Sequence, residues 1–531
     1  MNHMKNSWNN VLKVILFYGV ITGIVSGLIL YGFRYIANYF SQYSKDIYIF
    51  VRNNPLYIPL FFGGLIFIAF LISTIIDRVP STAGGAIPRT AGLVRGLLTF
   101  KWLPTLIFTM ISTLLVFLGG FPLGIEGASV LIGTSISEGV NETLHTKPAF
   151  KRYILTSGTS AGFSFATGSL MAGIIFPLEE MHKKFSWMLL TAAMSGAVFS
   201  TIVTRSLDAI FNKGSVFFPI QQITAMPIKY LWIAPLIGLI TGLFVSLFNY
   251  LIELIGKISS ERLKNVKRFY KILFAIIIIG IIGLLLPENL GNGHHNIIIE
   301  LLNNPVHFSL LVLVLLFAAK IITITLSSGS AVTGGLFIPV LVIGVLIGAI
   351  SNVFLVKMGF NPEYSTAIIL IAMGAFFAAS MDAPITTLLF IVEASLHVET
   401  TLYIVIAIFV SMIVAHLFHA KPLNEIVLKK MMKEQDRNRV WHMYEIKGII
   451  NDNAFVVNKT VRDILWPANC LIKELVQSDA TNRTNIMVHG GDRVLSNGDH
   501  VIFQVQSYNL DETITKLESL VGTQKFDVEL K

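Results

Sequence analysis

From residue 11 to about residue 420 the chain is a series of long apolar runs separated by short polar stretches. The runs from Val11 to Phe33 and from Pro55 to Ile76 are long and apolar enough to span a bilayer as helices. A polar loop with Lys45, Asp46 and Arg52 is expected between them. Ser81-Thr82-Ala83-Gly84-Gly85-Ala86-Ile87-Pro88 follows, a small-residue break that should lead into a short helix. Leu103 to Leu118 is apolar again, ending at Gly119-Gly120-Phe121-Pro122, and residues 150–200 hold helices rich in Gly, Ala and Ser. A second half opens near residue 228 with Leu231–Ile255 and Ile272–Leu285. The runs Leu310–Leu326, Leu336–Phe354, Ser365–Ala379, Pro384–Ala394 and Thr401–His416 come next, several too short or too Gly/Pro-broken to be simple spans.

The pattern changes near Met431-Met432-Lys433-Glu434-Gln435-Asp436. Beyond it, strand-like runs (Ile446, Ile449, Ile450; Ile486, Val488; His500 to Val505) alternate with turns at Gly490-Gly491-Asp492 and Asn497-Gly498-Asp499. This predicts a small α+β domain over residues 436–531. Composition agrees with the division. The 531 residues are 54% hydrophobic and 13% charged, with a mean hydropathy of +0.70, values of a polytopic helical membrane protein. The alternating ten-residue segments of a membrane β-barrel are missing. The net charge of +9 sits in short loops, above all Lys257, Arg262, Lys264, Lys267, Arg268 and Lys271 against Glu261. Positive-inside topology explains this better than nucleic-acid binding, and puts that loop and the C-terminal domain in the cytoplasm. With the single cysteine Cys470, no disulfide framework or cysteine-rich metal site is expected. The first apolar run lacks a small-residue cleavage site and reads as a span, not a signal peptide.

One carboxylate stands out. Glu126, in Gly124-Ile125-Glu126-Gly127-Ala128, opens a membrane-length run. An ionised carboxylate at bilayer depth costs roughly 2.5–3.5 kcal/mol on insertion scales. A glycine-flanked helix N-terminus, with bare N–H groups and the positive dipole end, gives it a reason to be there. It could cap that helix, or it could compete with a permeating anion for one site. The surrounding sequence repeats. Gly124-Ile-Glu-Gly-Ala128…Gly133 aligns with Gly335-Leu-Phe-Ile-Pro339…Gly344 at a spacing of 211, and Gly173…Glu179 aligns with Thr387…Glu393 at 214. Paired broken segments in two halves, about 10–200 and 228–435, point to a transporter's binding site.

Three segments resemble the CLC family of chloride channels and proton-coupled anion antiporters: Gly84-Gly85-Ala86-Ile87-Pro88, Gly124-Ile125-Glu126-Gly127-Ala128 and Gly335-Leu336-Phe337-Ile338-Pro339. Glu179-Glu180-Met181 and Lys421-Pro422-Leu423 extend the resemblance over residues 10–435. It implies an all-α inverted-repeat bundle of broken, tilted helices, forming a homodimer with a pore in each subunit. Glu126 would be the gate, leaving the anion site when protonated. The backbone amides of Leu336 and Phe337 would hold an inorganic anion, chloride first among candidates, and Glu180 would pass protons. The family's central serine and tyrosine correspond to Gly85 and Asn424, so Gly85 offers only backbone and Asn424 only its amide. Chloride/proton antiport is the implied activity, with a passive channel or a fluoride or nitrate transporter as alternatives. No cofactor is implied. The tail resembles the TrkA-C domain through Asn469-Cys470-Leu471-Ile472, Asp492-Arg493-Val494-Leu495 and Asn497-Gly498-Asp499, implying a regulatory module for a small-molecule effector.

Other signals have plainer readings. Glu179 reads as structural, because no role attaches to its counterpart Glu393. His416 and His419 lack a third ligand nearby, and His294-His295 reads as a surface pair in a Gly/Asn loop. Gly158-Thr159-Ser160-Ala161-Gly162 matches the G-x-S-x-G nucleophile pattern of a hydrolase. No strand precedes it, and among small residues it reads as a packing stripe. No Gly-x-x-x-x-Gly-Lys phosphate loop suggests ATP-driven transport. A bacterial plasma membrane is the expected location.

Overall fold

The computed structural model of the chain describes residues 2–212, 217–220, 223–436, 439–476, 485–487, 491–523 and 525–531, with side chains from residue 11 onward except at 485–487. Val488 and Gly490, assigned to a strand and a turn from sequence, lie outside these residues.

The first half contains α1 (Asn2–Asn53), α2 (Ile58–Arg78), α3 (Ala86–Val94), α4 (Trp102–Leu118), α5 (Ile125–Thr143), α6 (Pro148–Thr167), α7 (Leu170–Phe176) and α8 (Trp187–Ile210). The second contains α9 (Ile233–Lys257), α10 (Arg268–Leu285), α11 (Glu300–Asn303), α12 (Leu310–Ser330), α13 (Phe337–Lys357), α14 (Ser365–Met381), α15 (Pro384–Ser395), α16 (Thr401–Leu417) and α17 (Leu423–Gln435). Among the described residues, 8 helical segments are long and apolar enough to cross a membrane. The protein is an integral, multi-pass membrane protein.

Packing repeats between the halves. Helix α5 packs on α6, α6 on α8, and α1 on both α6 and α8; α13 packs on α14, α14 on α16, and α9 on both α14 and α16. Helices α13 and α14 are apolar on every face and sit deepest, as a helix without a polar side must. Helix α2 turns Leu60, Phe67 and Phe70 outward, as a lipid-facing helix would.

Two sequence expectations need correction. The polar stretch around Lys45, Asp46 and Arg52 is helical, part of one 52-residue helix. No proline interrupts residues 34–53, and the polar side chains have partners. Ser44 Oγ donates to Leu118 O at 3.0 Å and Tyr48 Oη to Gly119 O at 3.0 Å, satisfying carbonyls left open at the end of α4. His294 is half-buried rather than on the surface. It lies on a π-helical turn, His294–Ile299, with its ring against Phe217 and Phe218.

The Gly158–Gly162 stripe is a packing device. A Cβ on Gly158 would come 2.2 Å from Gly133 O, and one on Gly162 would come 2.2 Å from Ser129 O, so α5 and α6 touch backbone to backbone. Ser160 Oγ is buried without a hydrogen-bond partner, so no base activates it.

The C-terminal domain is a sheet of order β3-β2-β4-β1-β5, antiparallel at every pairing, formed by β1 (His442–Ile449), β2 (Cys470–Val476), β3 (Asn485–Met487), β4 (His500–Ser507) and β5 (Asp527–Leu530). Helix α18 (Leu510–Val521), starting at an Asn509 cap, completes it. Alternation on β4 buries Val501, Phe503 and Val505. A loop of this domain docks on the membrane helices through carbonyls. Tyr153 Oη donates to Asp463 O at 3.1 Å, Lys184 Nζ to Ile464 O at 3.0 Å, and Arg152 Nη1 to Trp466 O at 2.7 Å.

Gly158→Ala should destabilise the protein by about 1–3 kcal/mol, because backbone cannot move aside as a side chain can. Gly32→Ala, with nothing within 4 Å of the added carbon, should be neutral or stabilising. Thermal unfolding in detergent reads both. Equal midpoints for the two variants would contradict the packing described.

Candidate functional site

Three helix N-termini meet in the interior, and glycines make the meeting possible. Gly124 and Gly335 form a reciprocal backbone bridge, Gly124 N donating to Gly335 O at 2.9 Å and Gly335 N to Gly124 O at 3.1 Å. Gly85 forms a bridge with Gly334, and Gly84 N donates to Ala331 O at 2.8 Å. Gly84 does this at φ +74°, a left-handed conformation that a side chain would resist. A Cβ on Gly127 would lie 2.6 Å from Gly335 Cα, so the first turn of α5 and the entry to α13 leave no room for one. Thr333 closes the arrangement from behind, donating to Thr82 O at 2.7 Å and pairing with Ser112 Oγ at 2.8 Å.

The bridges align the starts of α3, α5 and α13. The first turn of each helix has N–H groups without intrahelical acceptors, and the dipoles add a positive field there. Glu126 lies in the first turn of α5, 2% exposed. Its carboxylate folds back toward Gly124, where a Cβ would meet Oε2 at 1.9 Å. Oε2 has no hydrogen-bond partner, and the donor facing the carboxylate is its own backbone amide. Burying a carboxylate with so little compensation is costly. The site thus holds an acidic side chain whose ionised form would have the helix-end fields as its main electrostatic support.

Leu336 is the N-cap of α13 and Phe337 its first residue, both buried. The Phe337 ring packs among Phe163, Phe377 and Phe390, with centroids at 5.3, 4.5 and 5.1 Å. Phe176, at the end of α7, stacks on Phe163 at 3.8 Å. A π-helical segment, Pro177–His182, continues α7 after the proline and carries Glu179 and Glu180.

Those two neighbours have different surroundings. Glu179 accepts from Ile385 N at 3.0 Å, Thr386 N at 2.7 Å and Thr386 Oγ1 at 2.7 Å, so it caps α15. Glu393 does the reciprocal, accepting from Leu170 N at 2.8 Å, Met171 N at 2.9 Å and Ser169 Oγ at 2.6 Å to cap α7. The pair aligned by sequence therefore does one job twice, each carboxylate closing a helix of the other half. Glu180 is 1% exposed. Its Oε1 accepts from Asn424 Nδ2 at 2.9 Å and its Oε2 has no partner. The Asn424 amide, expected to face an anion, is thus turned to Glu180, while Gly85 and the Leu336–Phe337 turn stay together at the helix junction.

A cavity of about 950 Å³ lies beside the break before α3, lined there by Ala83, Gly84, Ser330 and Ala331. Nine basic and four acidic side chains line it, an excess that would draw anions inward. Sequence reading had noted the basic loop but not that it folds over the break before α3. It also missed Lys320, fully buried in α12, whose ammonium donates to Asn289 O at 2.7 Å and Gly291 O at 2.8 Å. A single lysine inside a 21-residue apolar helix was the available signal. Among the described residues no group of three His, Cys, Asp or Glu side chains could hold a metal.

Residues 68–416 match the voltage gated chloride channel family, and the chain belongs to that family. Its members are transporters rather than enzymes. The chain is 26% identical over 436 residues to the H(+)/Cl(-) exchange transporter ClcA of Klebsiella pneumoniae subsp. pneumoniae, covering 80% of this chain and 90% of that protein. Its fold is similar to that of a slow cyanobacterial Cl-/H+ antiporter (TM-score 0.72, 22% identity, 80% of this chain and 99% of that one). It is also similar to a CLC-type fluoride/proton antiporter (TM-score 0.62, 19% identity, 78% and 98%).

Glu179→Ala and Glu393→Ala should each cost about 1–2 kcal/mol, as loss of a helix cap does. Thermal unfolding of both variants tests the reciprocity. A large loss for one and none for the other would break the equivalence.

Proposed function

We propose that this protein exchanges chloride for protons across the membrane, with Glu126 as the gate. The observation that carries this reading is the buried Glu126 carboxylate, its Oε2 without a partner, at a junction of helix N-termini, two residues beyond Gly124 of the Gly124–Gly335 bridge. An ionised carboxylate and a small anion suit the same field, so the two exclude each other. Protonation removes the charge that holds the side chain in place, and an anion takes the position. The anion's ligands are then backbone amides of Leu336, Phe337 and the turn at Gly85. Glu180, buried on the turn after α7, is the proton-transfer group toward the second solution. Its carboxylate supports exchange over passive conduction, since a channel needs no inner proton carrier.

In this reading the protein is a homodimer in a bacterial plasma membrane, with two repeat halves at about 10–200 and 228–435. Residues 436–531 form a cytoplasmic regulatory domain of the TrkA-C kind, for a small-molecule effector. The cationic cavity opens on the cytoplasmic side, in keeping with the positive-inside rule. No cofactor takes part. A second reading, fluoride or nitrate as the transported ion, rests on the donors themselves. Gly85 has no hydroxyl and the Asn424 amide faces Glu180, so halide selectivity has little side-chain support.

Liposome flux with simultaneous pH recording tests the proposal. The parent should move protons against chloride, Glu126→Gln should pass chloride without protons, and Glu180→Gln should slow protons while anion flux persists. Fully coupled exchange in Glu126→Gln would reject the gate. A parent that carries fluoride or nitrate but not chloride would favour the second reading.

A further inference from the structure

We propose that Asn424 is a positioning residue for Glu180, holding its carboxylate by an amide that serves both protonation states, and is not a ligand of the transported anion. The proposal rests on the exchange reading above. Asn424 is in the first turn of α17, 5% exposed, with Nδ2 2.9 Å from Glu180 Oε1 and 3.6 Å from Met381 Sδ. Both partners are buried, so this donor is not readily replaced by water.

The backbone around this pair is clamped as well. Arg95 donates to Glu180 O at 3.0 Å and to Met181 O, and its third nitrogen meets Glu425 Oε1 at 2.7 Å. Glu425 follows Asn424 directly. Lys183 Nζ lies 3.6 Å from Glu425 and 3.4 Å from Asp382. The first turn of α17 is therefore tied to the Glu180 turn through a side chain and, independently, through Arg95. The charged and titratable groups around Glu180 are Arg95 at the C-terminal end of α3, His182 on its own turn and Lys183 just after it, Arg152 on α6, Asp382 after α14 and Glu425 on α17. Of these, Arg95, Lys183 and Asp382 act on the carboxylate through space, while the group hydrogen-bonded to the carboxylate itself is the neutral amide of Asn424.

A primary amide has a property that a hydroxyl-bearing phenol or an ammonium lacks here. It never titrates, and it carries a donor and an acceptor on one carbon. With N–H toward Glu180 it stabilises the carboxylate; rotated by half a turn, its carbonyl accepts from the protonated acid. The partner thus adapts to the proton without holding one. Because α17 leads directly to the C-terminal sheet domain, a shift of that helix would change the contact and with it the readiness of Glu180 to take a proton.

The test uses the full-length protein in liposomes, with Asn424→Leu and Asn424→Asp. Of the two arrangements, the charge-assisted bond to the carboxylate is the stronger, so losing the amide costs the charged form more and lets Glu180 protonate at higher pH. Asn424→Leu should move the pH midpoint of coupled proton flux upward by about one unit, tenfold in proton affinity. The isosteric Asn424→Asp, which sets a second acid against the first, should move it further up. The chloride concentration for half-maximal flux should stay within about twofold of the parent. An unmoved midpoint in both variants would overturn the proposal, as would a weakened chloride dependence with the midpoint in place, which is the behaviour of an anion ligand. If Asn424→Leu does not fold, Asn424→Asp decides alone. A parent that exchanges no protons would instead remove the exchange reading, an outcome visible before either variant is measured.

Discussion

The structure depends on backbone meeting backbone at Gly124–Gly335 and Gly85–Gly334. A helix end buried in a bilayer leaves several N–H groups without acceptors, and each would cost free energy if left alone. Bringing three ends together concentrates those donors in one place, where a single anion can satisfy several. The neighbouring glycines are required because the chains pass within van der Waals contact of one another. The small residues thus account for the close meeting of the broken helices.

The two halves show the same economy at their rims. Glu179 and Glu393 are not active in any transfer that the geometry suggests; each closes the start of a helix in the opposite half. Exchange of caps ties the halves together with charge-assisted hydrogen bonds. Glu180, adjacent in sequence on the π-helical turn, points to a different side and is buried.

Much of this was legible in the chain. The apolar run lengths identified the spans, and the two spacings of 211 and 214 identified the repeat whose packing the helices follow. Glu126 was conspicuous as a lone acid ahead of an apolar run. Other features were hidden for physical reasons. The continuous first helix depends on Ser44 and Tyr48 finding carbonyls of α4, a tertiary contact that polarity alone reads as a loop. Asn424 could be placed beside a motif, but not oriented, since an amide facing an anion and one facing a carboxylate look alike in sequence. The docking of Asp463–Trp466 on Tyr153, Lys184 and Arg152 uses main-chain carbonyls, which any residue supplies.

The claim at the centre is alternation of a carboxylate and a mobile anion in one place. Anomalous diffraction from bromide-soaked crystals of the parent and of Glu126→Gln at neutral pH tests it most directly. The account predicts a bromide peak beside the Gly124–Gly335 bridge in Glu126→Gln that the parent lacks, with the parent's side chain in that position. Bromide there in the parent together with an unmoved Glu126 carboxylate, or at that place in neither crystal, would contradict it.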